Sequence, residues 1–110
     1  MSCDPWLTRQ MTTFRHVLML RFTDDASKEQ IGALYEGLAS MPEKIDQIRR
    51  FDFGPDLGLG SSNFDMALIA DFDSEDDWRN YSDHPYHQAF VAKDLVPILA
   101  EAVRVQIEVS

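Results

Sequence analysis

An α+β fold of the ferredoxin-like type is predicted: β-α-β-β-α-β, with four antiparallel strands in one sheet and both helices on one of its faces. Two observations predict it. Four stretches alternate apolar and other residues at a period of two, as strands do, and two stretches repeat apolar residues at helical spacing. Their order along the 110 residues then selects the plan. A chain of this length makes one domain, set here at residues 13–110, after a loose extension over residues 1–12.

Residues 14–22 read as the first strand. His16, Leu18, Leu20 and Phe22 share one face, and Arg15, Val17, Met19 and Arg21 share the other. Apolar residues on both faces predict that both are covered. Ser27 then opens Ser-Lys-Glu-Gln, a capping box in which the Ser27 hydroxyl accepts from the Gln30 N–H and the Gln30 side chain reaches back. Ile31, Leu34, Tyr35 and Leu38 follow as one helical stripe, which Met41 extends and Pro42 stops. Residues 48–53 read as the second strand, with Phe51 and Phe53 on one face. Residues 54–63, with three glycines and a proline, are a loop.

Residues 64–72 form the third strand, Phe64, Met66, Leu68, Ala70 and Phe72 alternating with Asp65, Ala67, Ile69 and Asp71. Ser74 caps a second helix whose first turn holds Glu75, Asp76 and Asp77, where the helix dipole favours carboxylates. Trp78 and Tyr81 share its inner face. His84-Pro85 ends it, because the residue before proline avoids helical geometry, and Pro85 suits the first position of another helix. Phe90, Val91, Leu95, Ile98 and Leu99 continue that helix, bent at Pro97. Val103, Val105, Ile107 and Val109 alternate with Arg104, Gln106 and Glu108, a fourth strand with one polar face.

Ten basic against nineteen acidic residues give a net charge of −9, which repels nucleic-acid phosphates and anionic lipid surfaces. The single cysteine, Cys3, cannot close an intrachain disulfide and suits a cytoplasmic protein. No apolar run reaches the roughly 20 residues of a membrane span, and no signal peptide is seen. The helices cover one face of the sheet, which leaves Val, Met, Ile and Phe side chains uncovered on the other. An uncovered apolar sheet marks a contact surface, and two-fold pairing of sheets into a barrel satisfies it. A homodimer is therefore expected.

Four segments resemble the stress-responsive A/B barrel (Dabb) family of dimeric α+β barrels. They are Arg15 to Phe22, Met41-Pro42-Glu43-Lys44-Ile45-Asp46-Gln47-Ile48, Gly54-Pro55-Asp56-Leu57, and, most specifically, His84-Pro85-Tyr86-His87-Gln88-Ala89-Phe90. The resemblance implies a stress-response domain, and by analogy with a plant member that cyclises a linear polyketide it implies cofactor-free catalysis by the residues matching Tyr81 and His87. His16 matches a further histidine of that cyclase. Tyr86 and Met66 depart from its pattern, Tyr86 standing where a small residue is usual and able to fill pocket space.

The residues support that chemistry in their own terms. Histidine takes and returns a proton near neutral pH, so His87 can act as the base. Tyr81 can hydrogen-bond a carbonyl oxygen and stabilise an enolate, and His16 can orient either. Tyr35, Leu38, Trp78, Tyr86 and Phe90 are the expected walls of a mostly apolar small-molecule pocket. The alternatives are a non-catalytic stress-response or assembly protein, in which His87 bonds a backbone carbonyl and Tyr81 is a core ring, and a dimeric-barrel monooxygenase, on fold analogy alone. His84 is read as a cap at the helix junction. No cofactor and no metal are expected, since His16, His84 and His87 match no metal-ligand spacing.

Overall fold

A computed structural model describes residues 12–110; apart from Thr12, the expected N-terminal extension, with Cys3, lies outside the described residues. The elements are strand β1 (Thr13–Phe22), helix α1 (Lys28–Lys44), strands β2 (Arg50–Pro55) and β3 (Met66–Phe72), helix α2 (Glu75–Asp83), helix α3 (Pro85–Phe90) and strand β4 (Leu99–Val109). A π-helical turn (Val91–Leu95) and a 3₁₀ turn (Val96–Ile98) join α3 to β4. The strands lie in the order β2-β3-β1-β4, every neighbour antiparallel. This is the predicted ferredoxin-like α+β fold.

Local chemistry sets the helix starts. The Gln30 N–H donates to Ser27 Oγ at 3.1 Å, and the Ser27 N–H donates to Gln30 Oε1 at 2.9 Å. Ser74 Oγ likewise accepts from the Asp77 N–H at 3.1 Å. Helix α1 runs past Pro42 to Lys44, two residues further than the sequence predicts. Within the last turn the missing N–H removes a single bond, and the Ile45 N–H still reaches the Met41 carbonyl at 2.9 Å. At the far end the expected bent helix breaks up: α3 is short, and Leu99 already belongs to β4. Leu99 and Glu101 pair with Phe22 and Arg21 across a register shift, and this strand pairing outweighs the helical spacing.

The two sheet faces differ sharply. His16, Leu18 and Leu20 face the helices, where Leu34, Leu38, Met41, Phe72, Tyr81 and Phe90 complete the core. Val17 pairs with Val105, and Met19 with Val103, so these four and Ile107 line the helix-free face. The polar residues Gln106 and Arg104, opposite His16 and Leu18, are those on the helix side of β4. Phe51 and Phe53 do not join the bare face. They turn inward, Phe51 against Tyr81 at 6.2 Å and Phe53 against Tyr35 at 5.9 Å. Phe64 precedes β3 instead of opening it, and its ring lies 4.2 Å from the Arg21 guanidinium carbon.

Ion pairs fringe the bare face. Arg15 donates twice to Asp71, at 2.8 and 2.9 Å, and Asp71 is buried. Arg50 pairs with Asp52 at 2.5 Å and Arg21 with Glu101 at 3.4 Å.

Two glycines of α1 give a paired test of the packing. A Cβ on Gly32 meets nothing within 4 Å, so Gly32→Ala should raise unfolding free energy by up to about 1 kcal/mol. A Cβ on Gly37 would stand 2.4 Å from the Phe90 ring, so Gly37→Ala should lower it by about 1–3 kcal/mol despite the same gain in propensity. Urea denaturation of the two variants reads both signs.

Candidate functional site

The site is built where α2 breaks. Pro85 has no N–H, and His84 before it is extended, with φ −60° and ψ 134°. The Tyr86 N–H donates to His84 Nδ1 at 3.0 Å, so His84 caps α3 as expected. The Ser82 carbonyl accepts two side-chain donors in turn: Gln88 Nε2 at 2.8 Å and His87 Nδ1 at 3.1 Å. A carbonyl only accepts, so the His87 nitrogen facing it carries the proton and Nε2 carries the lone pair.

Tyr81 lies against that imidazole, with ring centroids 4.4 Å apart. It is buried, also touching Phe72 at 5.1 Å, and its hydroxyl makes no hydrogen bond among the described residues. Burial pushes its phenol well above the usual value, which keeps it protonated. Burial also pulls the His87 imidazole below 6.5, assisted by the nearby His84 and opposed by the Ser82 bond. A neutral base and a neutral phenol therefore stand side by side near pH 7.

Both rings line a cavity of about 30 Å³, room for roughly one water molecule. Leu38 and Phe90, predicted as walls, are among its walls. Leu18, Leu20, Leu34, Met66, Leu68, Val91 and Leu95 complete it. Tyr35, Trp78 and Tyr86 do not line it. Tyr35 stacks on Phe53, and Trp78 stacks on Phe14 at 5.6 Å. The Tyr86 hydroxyl turns to α1, 2.5 Å from Ser40 Oγ, so it leaves the cavity unfilled. Sequence reasoning also missed the Ser82 carbonyl as the partner of His87, and Gln88 as the second donor to it. Leu18 and Leu20 were readable, since they share the strand face of His16.

His16 stands apart from the pair. Gln106 Nε2 donates to its Nδ1 at 2.9 Å, and Trp78 packs on its ring at 5.8 Å. Burial foremost, then the charges of Arg104 and His87, pulls its pKa down to about 4. The described residues hold no cluster of three or more His, Cys, Asp or Glu side chains suited to a metal ion. Larger hollows open on the bare sheet: about 460 Å³ beside the β2–β3 loop, bordered by Met19, Phe64 and Ala67, and about 220 Å³ over Val17, Met19, Val103 and Val105. No helix among the described residues is long and apolar enough to cross a membrane.

A four-stranded antiparallel sheet with helices on one face makes this a ferredoxin-like α+β protein, a fold whose similar solved structures include dimeric proteins. The chain belongs to the stress-responsive A/B barrel (Dabb) family, whose model matches residues 14–109. It is 26% identical over 82 residues to one stress-response A/B barrel domain-containing protein of Arabidopsis thaliana, covering 72% of this chain and 71% of that one. A second from the same plant is 28% identical over 78 residues, covering 69% and 72%. Among solved structures, a dimeric ferredoxin-like protein from Thermobifida fusca is 37% identical with a TM-score of 0.82, covering 91% of this chain and 93% of its own. A hydroxynitrile lyase from Passiflora edulis shares the fold at 22% identity and a TM-score of 0.79, covering 89% and 94%.

The depressed His16 pKa sets a pH dependence. Between about 6.5 and about 4 the unfolded chain binds a proton at this residue that the folded chain does not. The stabilisation is therefore complete above pH 6.5 and declines as pH falls through that window. His87 adds to it with the same sign. Urea midpoints measured across the window should drop steadily in the wild type and more shallowly in His16→Gln, which keeps an acceptor for Gln106.

Proposed function

We propose that this chain is a cytoplasmic homodimer, paired through the bare sheet face, whose two protomers each enclose a small apolar site for cofactor-free acid–base catalysis. One observation carries the catalytic part: His87 Nδ1 lies 3.1 Å from the Ser82 carbonyl, which leaves the lone pair on Nε2, and the ring packs on the buried Tyr81, whose hydroxyl makes no hydrogen bond among the described residues. Such a pair suits carbonyl chemistry. His87 Nε2 takes a proton from a carbon next to a carbonyl, or from the hydroxyl of a carbonyl adduct. The Tyr81 O–H donates to the oxygen where negative charge builds in the first case. The enolate then attacks a second carbonyl, as in a cyclisation, and the alkoxide so formed takes the proton back from His87. In the second case the carbon–carbon bond opens, as in a lyase, and His87 returns its proton to the departing carbanion. His16 packs on Trp78 outside the cavity walls, and its part is to brace the sheet behind the pair.

A cavity of about 30 Å³ must widen by side-chain movement to admit any organic substrate, which favours a substrate of few atoms over a long polyketide. The same small volume favours a second reading, a non-catalytic stress-response or assembly protein whose polar knot braces the helix junction.

Incubation of the purified protein with small ketones, aldehydes and cyanohydrins, followed by proton NMR, separates the two. Turnover by the wild type should fall by at least about 10²-fold in His87→Ala and in Tyr81→Phe, with the dimer intact in both. Undiminished turnover in His87→Ala would refute the acid–base reading. No turnover of any of these compounds by the wild type would support the brace.

A further inference from the structure

In an unbroken helix the Ser82 carbonyl would accept from the N–H four residues on, that of Tyr86. That N–H is held instead by His84 Nδ1 at 3.0 Å. Pro85 supplies no N–H of its own. The Ser82 oxygen is thereby left to His87 Nδ1 at 3.1 Å, with Gln88 Nε2 on it as well at 2.8 Å. The imidazole three residues beyond His84 thus takes its orientation from a carbonyl that His84 keeps clear of a backbone competitor.

We propose that His84 is a positioning residue for His87: by capturing the Tyr86 N–H it reserves the Ser82 carbonyl for His87, and so locks His87 in the Nδ1–H tautomer with its lone pair on Nε2. The cap and the lock are one device. His84 accepts through Nδ1, which requires a lone pair there, and His87 donates through Nδ1, which requires a proton there. Two histidines three residues apart are thereby held in roles that differ at the same ring atom. The value of the lock to catalysis rests on the acid–base reading above, whereas the tautomer itself does not.

Long-range proton–nitrogen correlation NMR on the ¹⁵N-labelled full chain at neutral pH reads the tautomer directly. The wild type should show His87 protonated at Nδ1, and a dominant Nε2–H form would overturn the proposal whatever any variant does. His84→Ala frees the Tyr86 N–H to compete for Ser82, and the ratio of Nδ1–H to Nε2–H should fall by up to about tenfold. Pro85→Ala should act in the same direction, because it lets the helix run on and returns the Tyr86 N–H to the Ser82 carbonyl. His84→Asn supplies another side-chain cap and should restore the wild-type ratio. A folded His84→Ala protein, confirmed by circular dichroism, with an unchanged ratio would refute the lock. Turnover adds a separate readout: kcat falling with KM held in His84→Ala, and recovering in His84→Asn, ties the lock to catalysis. A shifted tautomer with unchanged turnover would leave the lock standing and sink the catalytic reading.

Discussion

The period of two along β1 is the constraint on which the molecule depends. As the strand between β3 and β4, it divides its side chains between two environments with no choice of register to spare. His16, Leu18 and Leu20 go to the helices, and Val17 and Met19 go to the other side. A slip of one residue would bury Arg15 and Arg21 beneath the helices and turn the core leucines out. The Arg15–Asp71 pair fixes the register from the opposite side, since Asp71 is buried and would lose this charge partner on slipping.

The orientation of β4 carries that division to the sheet edge. An edge strand with one apolar face would ordinarily turn it toward the core. Here Gln106 takes the core side, because it is needed to bond the buried His16, and Val103, Val105 and Ile107 are left on the outside. These three are 36–53% exposed, and Met19 beside them is 42% exposed. An apolar centre fringed by Arg15–Asp71, Arg50–Asp52 and Arg21–Glu101 has the anatomy of an interface. The dimeric state of similar ferredoxin-like proteins agrees with it. Behind this sheet, the break at His84-Pro85 does the complementary work. It ends one helix, starts the next and releases a carbonyl, and the released carbonyl aligns an imidazole beside a phenol.

What was legible in the sequence was the chemistry that acts over a few residues. The Ser27 capping box, the Ser74 cap and the stop before Pro85 each depend on neighbours within one turn, and each stands where the spacing puts it. The His84 cap was legible for the same reason. The places where reading failed depend on distant partners. Leu99 follows helical spacing but joins β4 because Phe22 offers it a strand to pair with. Tyr86 was expected near the cavity, and the Ser40 hydroxyl on another helix draws it away. The cavity size is set by side chains from six separate elements filling one space, and no local pattern records their sum. Gln88 is a polar helix residue like any other until Ser82 is known to face it.

The bare β surface is the central claim, and sedimentation equilibrium of the full chain tests it most directly. The account predicts a species of about twice 12.6 kDa for the wild type and 12.6 kDa for Val105→Asp, which places a charge in the middle of the apolar patch. A wild type that sediments as a monomer at every concentration, or a Val105→Asp variant that pairs as well as the parent, would contradict it.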